Sequence, residues 1–443
     1  MSTDISAYRS PAAIDVYSVI LPASKMPTPC SSYLRELQLQ DLLRQQASFY
    51  AAEMVRPTKH AGAGTMNAAL CVTAATIMPV LSAVVLTSLP SVTPLQAPGL
   101  LLGIVSDYPW HLRGMLWDIG TAPITPLTTR SETLRPLPCP PESELTNARA
   151  CQTIHEHPHL FKVVTPIAVD RFEAALTSHP NRPLVESVVT GLREGFWPFV
   201  DFAGLDVPDT WEEVYGGLTA EAASFVTFYT QEEEEADQYS LPFSSLLPNM
   251  ICMPLYAVPK PHSDKLRLMN DHLAGPHALN SGICKCDVGM RQDNVQDLGT
   301  NLLHLQHTSG DIPVWLFKSD VANAYHLLPM HPLWQLKQVV HISGVYCVDR
   351  CCCFGYRGSP DLWCTFMSLV LWIVVKVKRI DSALAYMDDN FGLNPNSILV
   401  RYCPYDSFFP SKQVRLLQLW DELGIPHKQP KQVYGRSLAI ISF

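Results

Sequence analysis

Two adjacent carboxylates sit in the middle of a stretch without other charges: Ala383-Leu384-Ala385-Tyr386-Met387-Asp388-Asp389-Asn390-Phe391-Gly392-Leu393. Apolar runs on either side of a short polar pair read as two strands joined by a tight turn, which places both acids at the tip of a hydrophobic hairpin. Like charges side by side repel, and a carboxylate taken out of water needs a partner, so the hairpin demands something cationic close by. Mg²⁺ meets that demand, because a hard divalent ion prefers carboxylate oxygens and keeps open positions for phosphate. An ordinary solvated Asp-Asp-Asn turn meets it too, so the choice rests on what lies upstream.

The upstream segments supply the same chemistry in order. Met253-Pro254-Leu255-Tyr256-Ala257-Val258 and Lys265-Leu266-Arg267-Leu268-Met269 read as a hairpin closed by the turn 259–264, which lifts Lys260, Lys265 and Arg267 off the core. Cations so placed suit a triphosphate, while an edge hairpin protected by charge is the plain alternative. Val314 to Ser319 reads as a buried strand that delivers Asp320 at its C-terminal end, with Tyr325 five residues on and placed to wall the same cavity. Gly355-Tyr356-Arg357-Gly358-Ser359-Pro360 then opens a helix, with Ser359 as the expected N-cap, Pro360 in the first turn, and glycines that allow close backbone approach. Leu362, Trp363, Phe366, Met367, Val370 and Leu371 give that helix a core face. A further helix is expected from Lys412 to Leu423, ended by Gly424, and a terminal strand from Leu438 to Phe443.

The remainder of the 443 residues reads less sharply. Tyr33 to Met54 has the spacing of an amphipathic helix, and 60–106 contains no Asp, Glu, Lys or Arg. Residues 68–89 are long and apolar enough to span a bilayer, but Pro79 and a high Thr, Ser and Ala content argue against a membrane segment. The proline-rich stretch 121–148 reads as a linker with a boundary near 150. His155, His157 and His159 alternate as ligands on a strand would, but Pro158 breaks the strand and no carboxylate or thiol completes a metal set. Short helices are expected around 169–176 and 183–192 and again over 219–229, with Gln231 to Glu235 as its solvated continuation. The net charge of −9 excludes a uniformly basic nucleic-acid binder, yet residues 1–250 carry 14 basic and 26 acidic side chains while 251–443 carry 18 and 15. Thirteen scattered cysteines without paired Cys-x-x-Cys knuckles, and a polar Met1 to Arg9 with no secretory core, fit reduced thiols in an intracellular protein of the cytoplasm or nucleus.

Taken together, Leu266-Arg267-Leu268 with Leu279-Asn280, Asp320-Val321-Ala322-Asn323-Ala324-Tyr325, Phe354 to Pro360, and Tyr386-Met387-Asp388-Asp389 resemble the motifs of retroelement reverse transcriptases, of the fungal retrotransposon type. The resemblance covers about 190 residues. It implies an α/β (α+β) fold, a right-hand palm and fingers with an antiparallel palm sheet packed on helices, over 241–443. A helical segment over 151–240 and an irregular, partly disordered extension over 1–150 precede it. It further implies RNA-directed DNA synthesis on an RNA template from a DNA primer and dNTP. Asp320, Asp388 and Asp389 would hold two Mg²⁺, with Mn²⁺ as the substitute ion. Lys260 and Arg267 would hold the triphosphate, Tyr325 would exclude a ribose 2′-hydroxyl, Gly355 would pack against template and nucleotide, Tyr386 would belong to the same cofactor-binding set, and Met387 would lie by the primer terminus.

The chain departs from the family in ending where the palm finishes, before a thumb or RNase H domain, and in resembling nothing of the family over 1–150. Truncation leaves as the alternative a non-catalytic remnant that binds nucleic acid at most. An RNA-templated RNA polymerase shares the acid logic but not an aromatic gate at Tyr325, and a membrane-anchored interaction protein would be organised by 68–89 instead.

Overall fold

The computed structural model of the protein describes residues 126–439 other than 203, 204, 206, 214–216, 260–264, 286, 311, 396 and 397. The stretch from Tyr33 to Met54, the apolar run 68–89, Lys260 with the turn around it, and the end of the expected terminal strand lie outside the described residues.

Five helices come first among the described residues: α1 (Pro126–Ser131), α2 (Glu142–Leu145), α3 (Ala148–Glu156), α4 (Val169–Ala175) and α5 (Arg182–Glu194). Their starts are chemical. Asn147 and Asn181 accept the Ala150 and Leu184 amides, and Pro183 occupies the first turn of α5, where no N–H is needed. The proline-rich stretch, as far as it is described, is packed against later helices. Leu127, Ser131 and Leu137 are buried, the Leu137 amide donates to Ser187 Oγ at 2.9 Å, and α3 runs across the expected boundary at 150. Its prolines shape the turns of a packed segment. His155 lies on α3 and His157 ends it, so the three alternating histidines share no strand.

The next elements are β1 (Trp211–Glu212), α6 (Ala220–Glu235), β2 (Ile251–Cys252), and the hairpin β3 (Leu255–Pro259) and β4 (Leu266–Asn270). Thr219 caps α6 by accepting the Ala222 amide, and the glutamate run is not simply solvated: Glu233 is buried and meets His326 Nδ1 at 2.9 Å. Then follow α7 (Val295–Ser309), opened by a reciprocal capping box between Asn294 and Asp297, β5 (Val314–Val321), α8 (Pro332–Gln335), β6 (Val339–Ile342) and β7 (Val345–Val348). The chain continues through α9 (Ser359–Trp372), β8 (Leu384–Tyr386), β9 (Asp389–Pro395), β10 (Leu399–Tyr402), β11 (Ser407–Pro410), α10 (Ser411–Leu423) and β12 (His427–Gly435).

The architecture is mixed α and β of the α+β type. A fully antiparallel sheet in the order β12-β5-β9-β8 lies at its centre, and a second sheet in the order β1-β2-β6-β7 is parallel except for its β6–β7 hairpin. The expected strand at 438–443 lies mostly outside the described residues, and the last strand among those described is β12. Pro430 does not exclude it, because β12 is an edge strand with one side free of ladder bonds.

Helix α9 is apolar around its whole circumference, and Asp361 to Trp372 are all buried. Gly358, not Ser359, caps it; the Ser359 hydroxyl donates instead to the Cys353 carbonyl at 2.7 Å. Phe317 and Val321 on one face of β5 join the large core around α9, α10 and α5. Val314 and Leu316 on the other face pack with Leu298 of α7 and with Leu384, Phe391 and Leu393. Cys252, Cys347, Cys351, Cys352, Cys353 and Cys364 are buried free thiols, whereas Cys284 is disulfide-bonded, unlike the reduced state expected throughout.

Gly355 stands at φ +104°, where a Cβ would come within 1.8 Å of the Asn270 carbonyl oxygen. The loop before α9 is thereby pressed onto β4, and the Asn270 amide donates to the Phe354 carbonyl at 3.0 Å. Gly355→Ala should lower stability by about 2 kcal/mol or more through overpacking and backbone strain. Chemical denaturation of the two proteins checks this, and an unchanged midpoint would refute the close approach.

Candidate active site

The register of the central sheet brings the acids together. Across the β5–β9 ladder Asp320 is paired with Asp389, and β8 and β9 are joined by the two-residue turn Met387-Asp388. Residues two apart on a strand share a face, so Lys318 and Asp320 of β5 lie on the face that carries Asp389 and Phe391 of β9. Asp388 is locked to this end of the sheet because its carbonyl accepts the Val321 amide at 3.0 Å.

Met387 takes φ +53°, the left-handed region that a first turn residue of a tight hairpin requires and that a side chain resists. Its neighbours compensate. Gln292 accepts the Met387 amide at 2.6 Å and donates to its sulfur at 2.8 Å, while the Trp363 indole of α9 donates to the Met387 carbonyl at 2.9 Å. One residue further, the buried Asp293 accepts the Ala385 amide with one oxygen and the Leu127 amide with the other. Burial pushes its carboxyl up to about 7 despite those donors. The loop before α7 is thus a brace that holds the hairpin from one side. Asp361 of α9 secures the brace by accepting the Gly289 and Met290 amides.

Two lysines meet the charge. Lys318 Nζ lies 2.7 Å from Asp389 Oδ2, and Lys431 Nζ of β12 donates to Asp320 Oδ2 at 2.9 Å. The neutralisation is incomplete. Burial raises the Asp389 carboxyl to about 6 even against the Lys318 hydrogen bond, and burial followed by the charge of Asp320 raises Asp388. The Lys431 ammonium is raised in turn by its hydrogen bond to Asp320. Two carboxylates that oppose each other's ionisation offer hard oxygens to one ion. Among the described residues no three His, Cys, Asp or Glu side chains are grouped so that they could together hold a metal ion, which leaves Asp320 and Asp388 as the pair open to one. Mg²⁺ is commonly held by one or two carboxylates and completed by water and substrate phosphate, so a pair of acids is the least such a site needs.

A second group faces the same region. The Arg267 guanidinium sits 5.0 Å from the centre of the Phe354 ring, and that ring lies 4.8 Å from the ring of Tyr325. Tyr325 is 7% exposed, and its hydroxyl is raised chiefly by burial, with Asp388 raising it further and Arg267 opposing. It therefore stands within electrostatic reach of both the acids and the hairpin cation.

Of the residues singled out from the sequence, Asp320, Tyr386, Met387, Asp388 and Asp389 fall at one end of the central sheet, and Arg267 and Tyr325 belong to the stack beside it. Gly355 serves the packing of its loop on β4. Lys260 is outside the described residues. Lys318, Lys431, Gln292, Trp363 and Phe354 had been given no role at the site. Lys318 could have been found, since it is two residues from Asp320 on a strand. Nothing local marks Gln292 or Lys431.

No family model matches the chain, and no curated protein matches it. Among solved structures it is similar to that of the foamy viral protease-reverse transcriptase dRH in complex with ds DNA. The TM-score is 0.37 at 15% identity, over 66% of this chain and 48% of that one, so the chain spans about half of that protein's length.

Because the folded protein holds the Asp389 proton more tightly than the unfolded chain does, this group's contribution is full below pH 3.8 and is lost as pH rises through about 6. Stability by urea unfolding should therefore fall between about pH 4 and about 6.5 more steeply in the wild type than in Asp389→Asn. Equal slopes would mean that this carboxyl is not held above its ordinary range.

Proposed function

We propose that the chain carries a nucleotidyl-transfer core acting as an RNA-directed DNA polymerase, with 241–443 forming its fingers and palm. The observation that carries the reading is the register that sets Asp320 beside Asp388 and Asp389 at one end of an antiparallel sheet, next to the Arg267–Phe354–Tyr325 stack. The order of the four motifs in the sequence supports it independently.

In this reading Asp320 and Asp388 hold Mg²⁺, which when bound supplies charge neutralisation at the phosphoryl oxygens and lowers the pKa of an attacking hydroxyl. The protein's own groups do the rest. Arg267 on its hairpin offers a forked, permanently charged donor to the triphosphate, and the stack under it limits where the fork can go. Tyr325, held by Phe354 and by burial, presents a ring edge that leaves no room for a 2′-hydroxyl. The braced Met387 turn fixes the position of the acids relative to the primer end, and such preorganisation is what a reaction with little covalent role for the protein requires. An RNA template, a DNA primer and dNTP are the partners this implies.

Primer extension on an RNA template with dNTPs and Mg²⁺, using the full chain, tests the proposal. Asp320→Asn and Asp388→Asn should each reduce extension by at least about 100-fold while the fold persists by circular dichroism. Extension that survives either change would remove the assignment, and a folded wild type without extension would leave the nucleic-acid-binding remnant as the better reading. Separately, Tyr325→Ala should relax discrimination against rNTP by about 10-fold or more. Unchanged sugar selectivity would show that the ring is only part of the core.

A further inference from the structure

Three carboxylates and two lysines share the end of the central sheet, and the lysines are not equivalent. Lys318 and its partner Asp389 both have side chains only 17% exposed, and Lys318 is anchored on β5, an inner strand paired on both sides. Lys431 is 61% exposed against 12% for Asp320, and it stands on the edge strand β12, where the register with β5 slips between His427 and Gln432.

The costs of separating the two pairs differ accordingly. Taking Asp389 from Lys318 would leave a mostly buried ammonium without its counter-charge, which is expensive. Taking Asp320 from Lys431 returns a flexible, solvated lysine to water, where exposed pairs are weak to begin with. A divalent cation arriving between Asp320 and Asp388 therefore competes with Lys431 and leaves Lys318 in place.

We infer, on the reading of the site as a metal-dependent polymerase centre, that the lysines divide the carboxylates between them. Lys318 withdraws Asp389 from metal binding, and Lys431 is an exchangeable cation that holds Asp320 until a metal ion displaces it. The metal set of this chain is then Asp320 with Asp388. The second acid of the Tyr-x-Asp-Asp string is a fixed counter-ion for the strand beside it, and each loading of metal proceeds against a tethered competitor.

Mn²⁺ binding to the full chain without nucleotide, followed by electron paramagnetic resonance of the free ion, reads this directly. Lys431→Met should tighten Mn²⁺ about 5- to 10-fold. Lys431→Arg, which restores the charge, should return affinity to within about twofold of wild type, as should Lys428→Met, a control for net charge on the same strand. The double variant Lys318→Met/Asp389→Asn, which removes both members of the inner pair, should also bind within about twofold of wild type. Unchanged or weaker binding in Lys431→Met, equal tightening in Lys428→Met, or lost binding in a folded double variant would overturn the inference. If Mn²⁺ binding needs Asp320 and Asp388 but ignores Lys431, the division of roles fails and the metal centre stands. If the wild type binds no Mn²⁺, or Asp320→Asn binds as well as wild type, the polymerase reading fails with it.

Discussion

The cross-strand register of β5 and β9 is the constraint on which the rest depends. Seven consecutive pairs run from Val314 opposite Pro395 to Asp320 opposite Asp389. A slip of one residue would turn Asp320 and Lys318 toward the core around α9 and send Phe317 and Val321 out of it. Both faces of β5 are covered by apolar clusters, so such a slip would drive two charges into the larger core, away from their partners, and press Phe317 and Val321 into the smaller cluster. The hydrophobic pattern of the strand thus fixes the geometry of the acids. The site requires no separate ordering device along this axis.

Across the other axis, order comes from polar groups. The turn at Met387 is unfavourable for its own backbone, and three long-range hydrogen bonds from Gln292 and Trp363 hold it there. Those donors are themselves fixed, Trp363 by full burial on α9 and the loop of Gln292 by Asp361 and by the capping box of α7. Each polar contact is worth little alone. Their value lies in sharing anchors with the core, so that moving the turn means moving the helix.

How much of this was legible in the sequence depends on range. The strand that ends at Asp320, the hairpin around Asp388, and the helix closed by Gly424 follow from periodicity and turn chemistry, and they form where expected. Proline composition says nothing about what a turn packs against: the Leu127 amide meets Asp293 and the Ser131 hydroxyl meets His179, both far along the chain. Glu233 was read as solvated because its partner His326 lies 93 residues away, a pairing no local pattern reveals. Lys431 escaped notice for a related reason: a strand containing Pro430 is legible only when its neighbour on the sheet is known. Charges on one strand can be matched by eye, but charges that meet across a sheet need the topology.

Asp293 gives the molecule an unexpected seam. One carboxylate ties Leu127, at the start of the described chain, to Ala385, the residue before Tyr386-Met387-Asp388-Asp389. A fragment cut at residue 150 or 240, where composition would place a domain border, would strip this buried oxygen of a donor and uncover the side of α9 on which α1 lies. The helical prelude and the acidic hairpin therefore share one buried carboxylate. A version of the protein that keeps this contact has to include Leu127 as well as the acidic hairpin.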